Sequence, residues 1–178
     1  MLRIYSIVLF TFLFSSPCFS KGYDVFGLGV YDVKLDGSIT QLAGVFNYER
    51  RFDNNLVNIG PESENFFYLK PFAGIQLTSD SASYIIGGVY LEDNLGTLFS
   101  GKKSNILLTP SFGIGVYEDG NGKQLGSNIE FRSSFEISYQ LESKNRIGLS
   151  VGHISNANIT DKNPGVEMLS LSYQIPFN

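Results

Sequence analysis

The chain of 178 residues has no tryptophan, one cysteine and one histidine. The cysteine, Cys18, falls inside an N-terminal leader. Met1-Leu2-Arg3 is a short positive start, Ile4 to Phe14 is almost wholly apolar, and Cys18-Phe19-Ser20 sets small residues at the third-last and last places before Lys21. Residues 1–20 are therefore expected to be a signal peptide cut after Ser20, with 21–178 as one mature domain. A lipid anchor on Cys18 is disfavoured by Pro17 before it and Phe19 after it. With Cys18 removed, no disulfide and no thiolate chemistry is available. With one histidine, a protein-built zinc or iron site is excluded, and no cofactor is expected. Basic charge is also scarce. Loss of Arg3 leaves 12 Lys and Arg against 17 acids, a mature charge of −5, which offers no field for nucleic acid. Beyond the leader, no apolar run is long enough to cross a bilayer as a helix.

What the chain does have is 19 Gly, 10 Tyr and 15 Phe, arranged in short alternating segments that read as an antiparallel all-β protein. No internal repeat, low-complexity tract or interdomain linker breaks the pattern. Eight strands are expected. The first sets Phe26, Leu28 and Val30 against Gly27, Gly29 and Tyr31, and the second, from about Thr40 to Arg50, sets Leu42, Phe46 and Tyr48 against Asn47 and Glu49. The third, from about Phe66 to Thr78, sets Phe67, Leu69, Ala73, Ile75 and Leu77 against Lys70, Gln76 and Thr78; the fourth, about Ser83 to Leu91, has no decisive parity. The fifth places Ile106, Leu108, Phe112, Ile114 and Val116 opposite Thr109, Ser111 and Gly113. The seventh, Arg146 to Ser155, and the eighth, Val166 to Phe177, carry their aliphatic and aromatic residues at odd positions.

The sixth strand decides the architecture. Ile129, Phe131, Phe135, Ile137 and Tyr139 form one face, and Glu130, Arg132, Ser134, Glu136, Ser138 and Gln140 the other. Burying that polar face in a soluble sandwich would carry a large desolvation cost. In a narrow membrane barrel the charges can pair in a polar lumen while the apolar face meets lipid. Eight strands of roughly ten residues and a terminal aromatic strand fit an eight-stranded transmembrane β-barrel of the bacterial outer membrane.

Parity also places a candidate site. The only histidine, His153, precedes Ser155 by two residues, and Glu167 follows beyond a short loop, which together supply base, nucleophile and orienting acid for acyl transfer. All three continue the odd, lipid-facing positions of the last two strands. With an N-terminus in the periplasm, the end of strand seven lies at the outer rim, where the cost of a polar residue on the lipid face falls to about 0 to 1 kcal/mol. Residues two apart on a strand are roughly 7 Å apart, within reach of an imidazole leaning along it. If the hairpin pairs His153 with Glu167, their Cβ atoms stand about 4.5 to 5.5 Å apart.

The stretch His153-Ile154-Ser155-Asn156-Ala157, the turn Asn163-Pro164-Gly165 and Glu167 resemble the signature of the outer-membrane lipid A 3-O-deacylases of the PagL type, as do Leu125-Gly126-Ser127 and Glu130-Phe131-Arg132-Ser133. The likeness covers about the last 70 residues in sequence and the first half in barrel pattern only. It implies an esterase with lipid A, or lipopolysaccharide, as substrate, working in the outer membrane with Ser155 as nucleophile, His153 as general base and Glu167 orienting the ring. It further implies Asn156 as an oxyanion donor and Asn163 as a loop brace; a homodimer stays open. The inward residues, Gly, Ser, Gln and charges, are expected to offer no apolar bore, so substrate would approach from the leaflet. The rival readings are a non-catalytic small barrel serving as adhesin or structural protein, and an outer-membrane phospholipase or acyltransferase using the same trio.

Two motifs are set aside. Gly148-Leu149-Ser150-Val151-Gly152 matches the nucleophile-elbow pattern, but it lies inside a strand with Ser150 facing the lumen. Glu118-Asp119-Gly120-Asn121-Gly122 resembles part of a calcium loop but lacks its bidentate Glu, and reads as a hairpin turn. Residues 51–65 and 92–105 are long for periplasmic turns, and a brief helix is expected near Leu95 to Phe99.

Overall fold

The computed structural model describes residues 21–33, 42–60 and 68–178. The expected leader lies outside the described residues, as do Thr40, Phe66 and Phe67 at the starts of the second and third predicted strands. The eight long strands are β1 (Gly22–Tyr31), β2 (Ala43–Phe52), β3 (Tyr68–Thr78), β4 (Ser83–Tyr90), β5 (Ile106–Glu118), β6 (Ile129–Gln140), β7 (Arg146–Ser155) and β8 (Val166–Phe177). Each pairs antiparallel with its neighbour in sequence. The ring closes through β1 and β8, from Gly22 opposite Phe177 to Tyr31 opposite Met168. Closure leaves no free sheet edge, the condition for strands to stand in hydrocarbon.

The outward face is a continuous apolar band that includes Leu28, Phe46, Ile85, Ile114, Ile137 and Leu171, all exposed. Alternation assigns these faces correctly on every strand where it was readable. On β4 it was not, because Tyr84, Ile86 and Tyr90 point inward and buried while Ile85 points outward, so both faces are hydrophobic.

The lumen is filled. In its charged half, Arg51 donates to Glu49 at 2.9 Å and to Glu136 at 2.7 Å, and Arg132 bonds the other oxygen of Glu49. Gln174 Nε2 and Ser172 Oγ also donate to Glu136, at 2.8 and 3.1 Å. The charges of β6 thus pair across the barrel with β2, while the carboxylate of Glu130, fully buried, has no hydrogen-bond partner among the described residues. The half nearer the β7–β8 loop differs from the polar lining expected: Tyr31, Tyr84, Tyr117, Leu125, Ile154 and Val166 pack there as an apolar plug. The gap among Glu49, Arg51, Arg132 and Glu136 is about 30 Å³, room for a water or two and far too small for an acyl chain.

Both long connections at the rim of the chain termini carry short paired segments among the described residues. Val57–Asn58 adds a rung to β3, and Asp93–Asn94 adds one to β5. Helix α1 (Leu95–Ser100) follows, where the brief helix was expected. Asn94 Oδ1 caps it by accepting from Gly96 N at 3.1 Å and Thr97 N at 3.3 Å, and Gly101, at φ 67°, ends it. Ser150 lies within β7, with no helix after it, which removes the nucleophile-elbow motif from consideration.

Candidate active site

The β7–β8 hairpin builds the site. Its register sets His153 directly opposite Glu167, and Nδ1 of the ring lies 3.1 Å from Oε1 of the carboxylate. Both side chains stand on the outer surface, 47% and 39% exposed, so the pair is neither stripped of solvent nor fully open to it. The backbone of Glu167 is tied down as well, since Val33 N donates to Glu167 O at 3.1 Å. A carboxylate at Nδ1 fixes the ring and leaves Nε2 for a substrate or nucleophile proton.

Ser155 occupies the next outward position on β7 and lines a depression with His153, Phe112, Phe131, Ser133 and Ala157. Among the described residues no hydrogen bond joins its hydroxyl to the imidazole; in free enzymes such contacts are commonly long and tighten on substrate. On the other side of His153, a groove of about 480 Å³ runs between β6 and β8, lined by Val33, Phe135, Val151, Glu167 and Leu169. Most of the surface it presents is apolar, from Val33, Phe135, Val151 and Leu169, with Ser133, His153 and Glu167 also lining it.

Asn156 is placed otherwise than the oxyanion expectation required. It is fully buried, and Nδ2 lies 3.0 Å from Leu125 O, 3.0 Å from Thr160 Oγ1 and 2.8 Å from Lys162 O. Its backbone N–H donates to Asn163 Oδ1 at 3.1 Å. The physical reason is parity: position 156 is even, so the side chain next to the candidate nucleophile turns inward and ties loop to loop. Asn163 also donates from Nδ2 to Asn158 at 3.0 Å, the geometry of a brace.

Three further features were not read from the sequence. Ala157 and Asn158 both have positive φ, 52° and 62°, and Ile159 N closes the turn onto Asn156 O at 3.0 Å. An alanine held there costs about 1 to 2 kcal/mol, and strain of this kind gathers at functional sites. The N–H groups of Ala157 and Asn158 donate to no other group among the described residues. Gly165, at φ 61°, backs onto the imidazole. Ser133 is the cross-strand partner of His153 on β6. Asparagine and glycine hint at such turns, but only register brings Ser133 to the site.

A closed eight-stranded barrel with an apolar outer band and a polar pair set into one rim is an outer-membrane β-barrel. The chain belongs to the family described as lipid A 3-O-deacylase (PagL), whose profile matches residues 68–176. It is 38% identical over 55 residues to the lipid A deacylase PagL of Bordetella bronchiseptica, a stretch covering 31% of each chain, so the match spans under a third of that relative's length. The crystal structure of the outer membrane enzyme PagL superimposes with a TM-score of 0.64 at 16% identity, over 88% of this chain and 100% of that one, and shows the shared fold.

Proposed function

We propose that the protein is a serine esterase that removes the acyl chain ester-linked at position 3 of lipid A, in the outer leaflet. The observation that carries this reading is the His153–Glu167 pair, 3.1 Å apart on the lipid-facing side of the rim, with Ser155 in the adjoining depression. In this reading His153 Nε2 takes the proton of Ser155 Oγ as the hydroxyl attacks the ester carbonyl. The same nitrogen returns the proton to the departing sugar oxygen, and water repeats the cycle on the acyl-enzyme. Glu167 holds the ring and stabilises the imidazolium.

The oxyanion needs hydrogen-bond donors, and loss of one costs about 100- to 1000-fold in enzymes of this type. The unengaged N–H groups of Ala157 and Asn158, just after Ser155, are better placed for that task than the committed amide of Asn156. Asn156 and Asn163 then serve by holding this turn. No cofactor enters the scheme. The closed lumen favours substrate that arrives sideways from the membrane, with its acyl chain in the Phe135–Val151–Leu169 groove. Residues 1–20, in the same reading, direct export and are removed.

Mass spectrometry of lipid A from cells expressing wild type or Ser155→Ala tests the assignment. Loss of one 3-linked hydroxyacyl chain with wild type alone is expected. Unchanged lipid A with wild type, under conditions where the folded barrel is present, rejects it, and release of phospholipid acyl chains instead would make the enzyme a phospholipase.

A further inference from the structure

We infer that Glu130 is a positioning residue: its carboxyl donates a hydrogen bond to Asn156 Oδ1 and so fixes the amide that holds the Ala157–Asn158 turn beside Ser155. The inference rests on the deacylase reading and deepens it.

Glu130 is an acid to which the chemistry above gives no part. It is fully buried, and neither carboxyl oxygen has a hydrogen-bond partner among the described residues. The tyrosines of the apolar plug direct their protons elsewhere. Tyr84 Oη donates to the backbone oxygen of Glu130 at 2.8 Å, Tyr117 Oη to Lys123 O at 2.9 Å, and Tyr31 Oη to Tyr117 Oη at 3.1 Å. The Ser127 N–H approaches the carboxyl but closes no hydrogen bond. A bare carboxylate in such a place is costly, whereas the neutral acid has a proton to give.

Asn156 lacks one. Its Nδ2 is engaged by Leu125 O, Thr160 Oγ1 and Lys162 O, its backbone N–H by Asn163, and its backbone oxygen by Ile159 N. Its Oδ1, equally buried, accepts from no group among the described residues. Strands β6 and β7 pair Arg132 with Ile154 and Phe131 with Ser155, so the next step along both sets Glu130 against Asn156. Both side chains are buried on the inward face. Facing residues hold their Cβ atoms about 4.5 to 5.5 Å apart, within the span of a glutamic acid side chain. Gly115, opposite Glu130 on β5, adds no side chain to the space. Both residues also meet one stretch of the β5–β6 loop, Asn156 at Leu125 and Glu130 at Ser127. Two oxygens are joined only through a proton, and of this pair the carboxyl alone can carry it.

An amide held only through its nitrogen can swing or turn over; held at both ends, it has one orientation. Its nitrogen then stays on Leu125 O and Lys162 O, and the turn after Ser155 keeps its two unengaged N–H groups beside the nucleophile. Glu130 touches no reacting atom. It acts through Asn156.

The test uses the full-length folded barrel in detergent micelles with purified lipid A, and measures release of the 3-linked hydroxy acid. Glu130→Gln, whose amide can also donate to Oδ1, should keep kcat within about threefold of wild type. Glu130→Met, of similar size but with no donor, should lower kcat about tenfold, the scale of one hydrogen bond, and leave KM unchanged. In an Asn156→Ala background, Glu130→Met should cost nothing more. Infrared difference spectra give a readout apart from activity: the C=O stretch of a protonated carboxyl should be present in wild type, absent from Glu130→Gln and shifted in Asn156→Ala. Heat-modifiable gel mobility verifies that each variant is folded, and if Glu130→Met does not fold, the infrared shift decides. Full activity in Glu130→Met, equal losses in the Gln and Met variants, an undiminished cost of Glu130→Met without Asn156, or a carboxyl band that Asn156→Ala does not move overturns the inference while leaving the deacylase reading intact. A wild type that releases no hydroxy acid overturns the deacylase reading and the catalytic purpose given to Glu130, and the infrared shift then judges the contact alone.

Discussion

Gly165 stands so close to His153 that a Cβ built on it would lie 2.7 Å from Cε1 of the ring and 3.4 Å from Nε2. The glycine also has φ 61°, a conformation that a side chain disfavours. Two independent constraints therefore ask for glycine here, and both act on the candidate base. The Asn163-Pro164-Gly165 turn lays backbone against the imidazole edge, while Glu167, two residues on, holds the opposite nitrogen.

Gly165→Ala should accordingly impair catalysis more than folding. A methyl group must push the ring or the turn aside, and a misplacement of about 1 Å in a catalytic group can cost roughly 100-fold. We expect kcat to fall on that scale while the heat-modifiable shift of the barrel on gels persists. Wild-type turnover by a folded Gly165→Ala protein would show that the turn does not position the ring.

Glu167→Gln separates charge from shape. In a deeply buried triad, losing the acid costs about 10,000-fold, but a half-exposed pair is screened by solvent and ions. About 100-fold in kcat is the expected loss, with KM little altered because the amide keeps the carboxylate's shape in the groove wall. A fall in kcat below tenfold would remove Glu167 from the mechanism and leave His153 oriented by the turn alone.

The fate of particular residues shows which parts of the design were readable. The His153–Glu167 contact was legible because it needs only strand parity and one hairpin register, both local properties. Asn156 was not, because adjacency to Ser155 suggests shared chemistry whereas alternation turns the side chain inward. The charged partners of Glu136 and Arg132, Arg51 and Glu49, lie on β2, 85 and 83 residues away in sequence, and no periodicity reports such pairings. The apolar plug of Tyr31, Tyr84 and Tyr117 was hidden for a related reason. Tyrosine suits either face of a strand, and β4 is hydrophobic on both.

The lumenal network should govern stability rather than chemistry. Removing one member of a buried ion pair costs about 3 to 5 kcal/mol, because the other charge is left in a poor environment. Glu136 is buried and accepts from Arg51, Gln174 and Ser172. Glu136→Ala should lower the temperature at which the folded gel band is lost, with hydrolysis per folded molecule unchanged. Combining Arg51→Met with Glu136→Leu should recover part of the loss, since the uncompensated charge goes with its partner. An unaltered melting temperature for Glu136→Ala would mean that the network contributes little.

Asn156→Asp exchanges a donor for an acceptor among groups that are themselves acceptors. The amide nitrogen lies between Leu125 O and Lys162 O, at 3.0 and 2.8 Å, joining the β5–β6 loop to the β7–β8 loop. A carboxylate there would face two carbonyl oxygens in a site closed to water, costing about 1 to 3 kcal/mol or more for a charged group. The cost should appear as local opening, because the strands beneath are held by their own ladders. Limited proteolysis of the folded variant should cut within residues 156–165 at least tenfold faster than in wild type, and hydrolysis should fall with it as the Ala157–Asn158 turn loses its anchor. A variant that resists the protease like wild type yet fails to hydrolyse would return Asn156 to the chemistry itself, as a donor to the reacting oxygen.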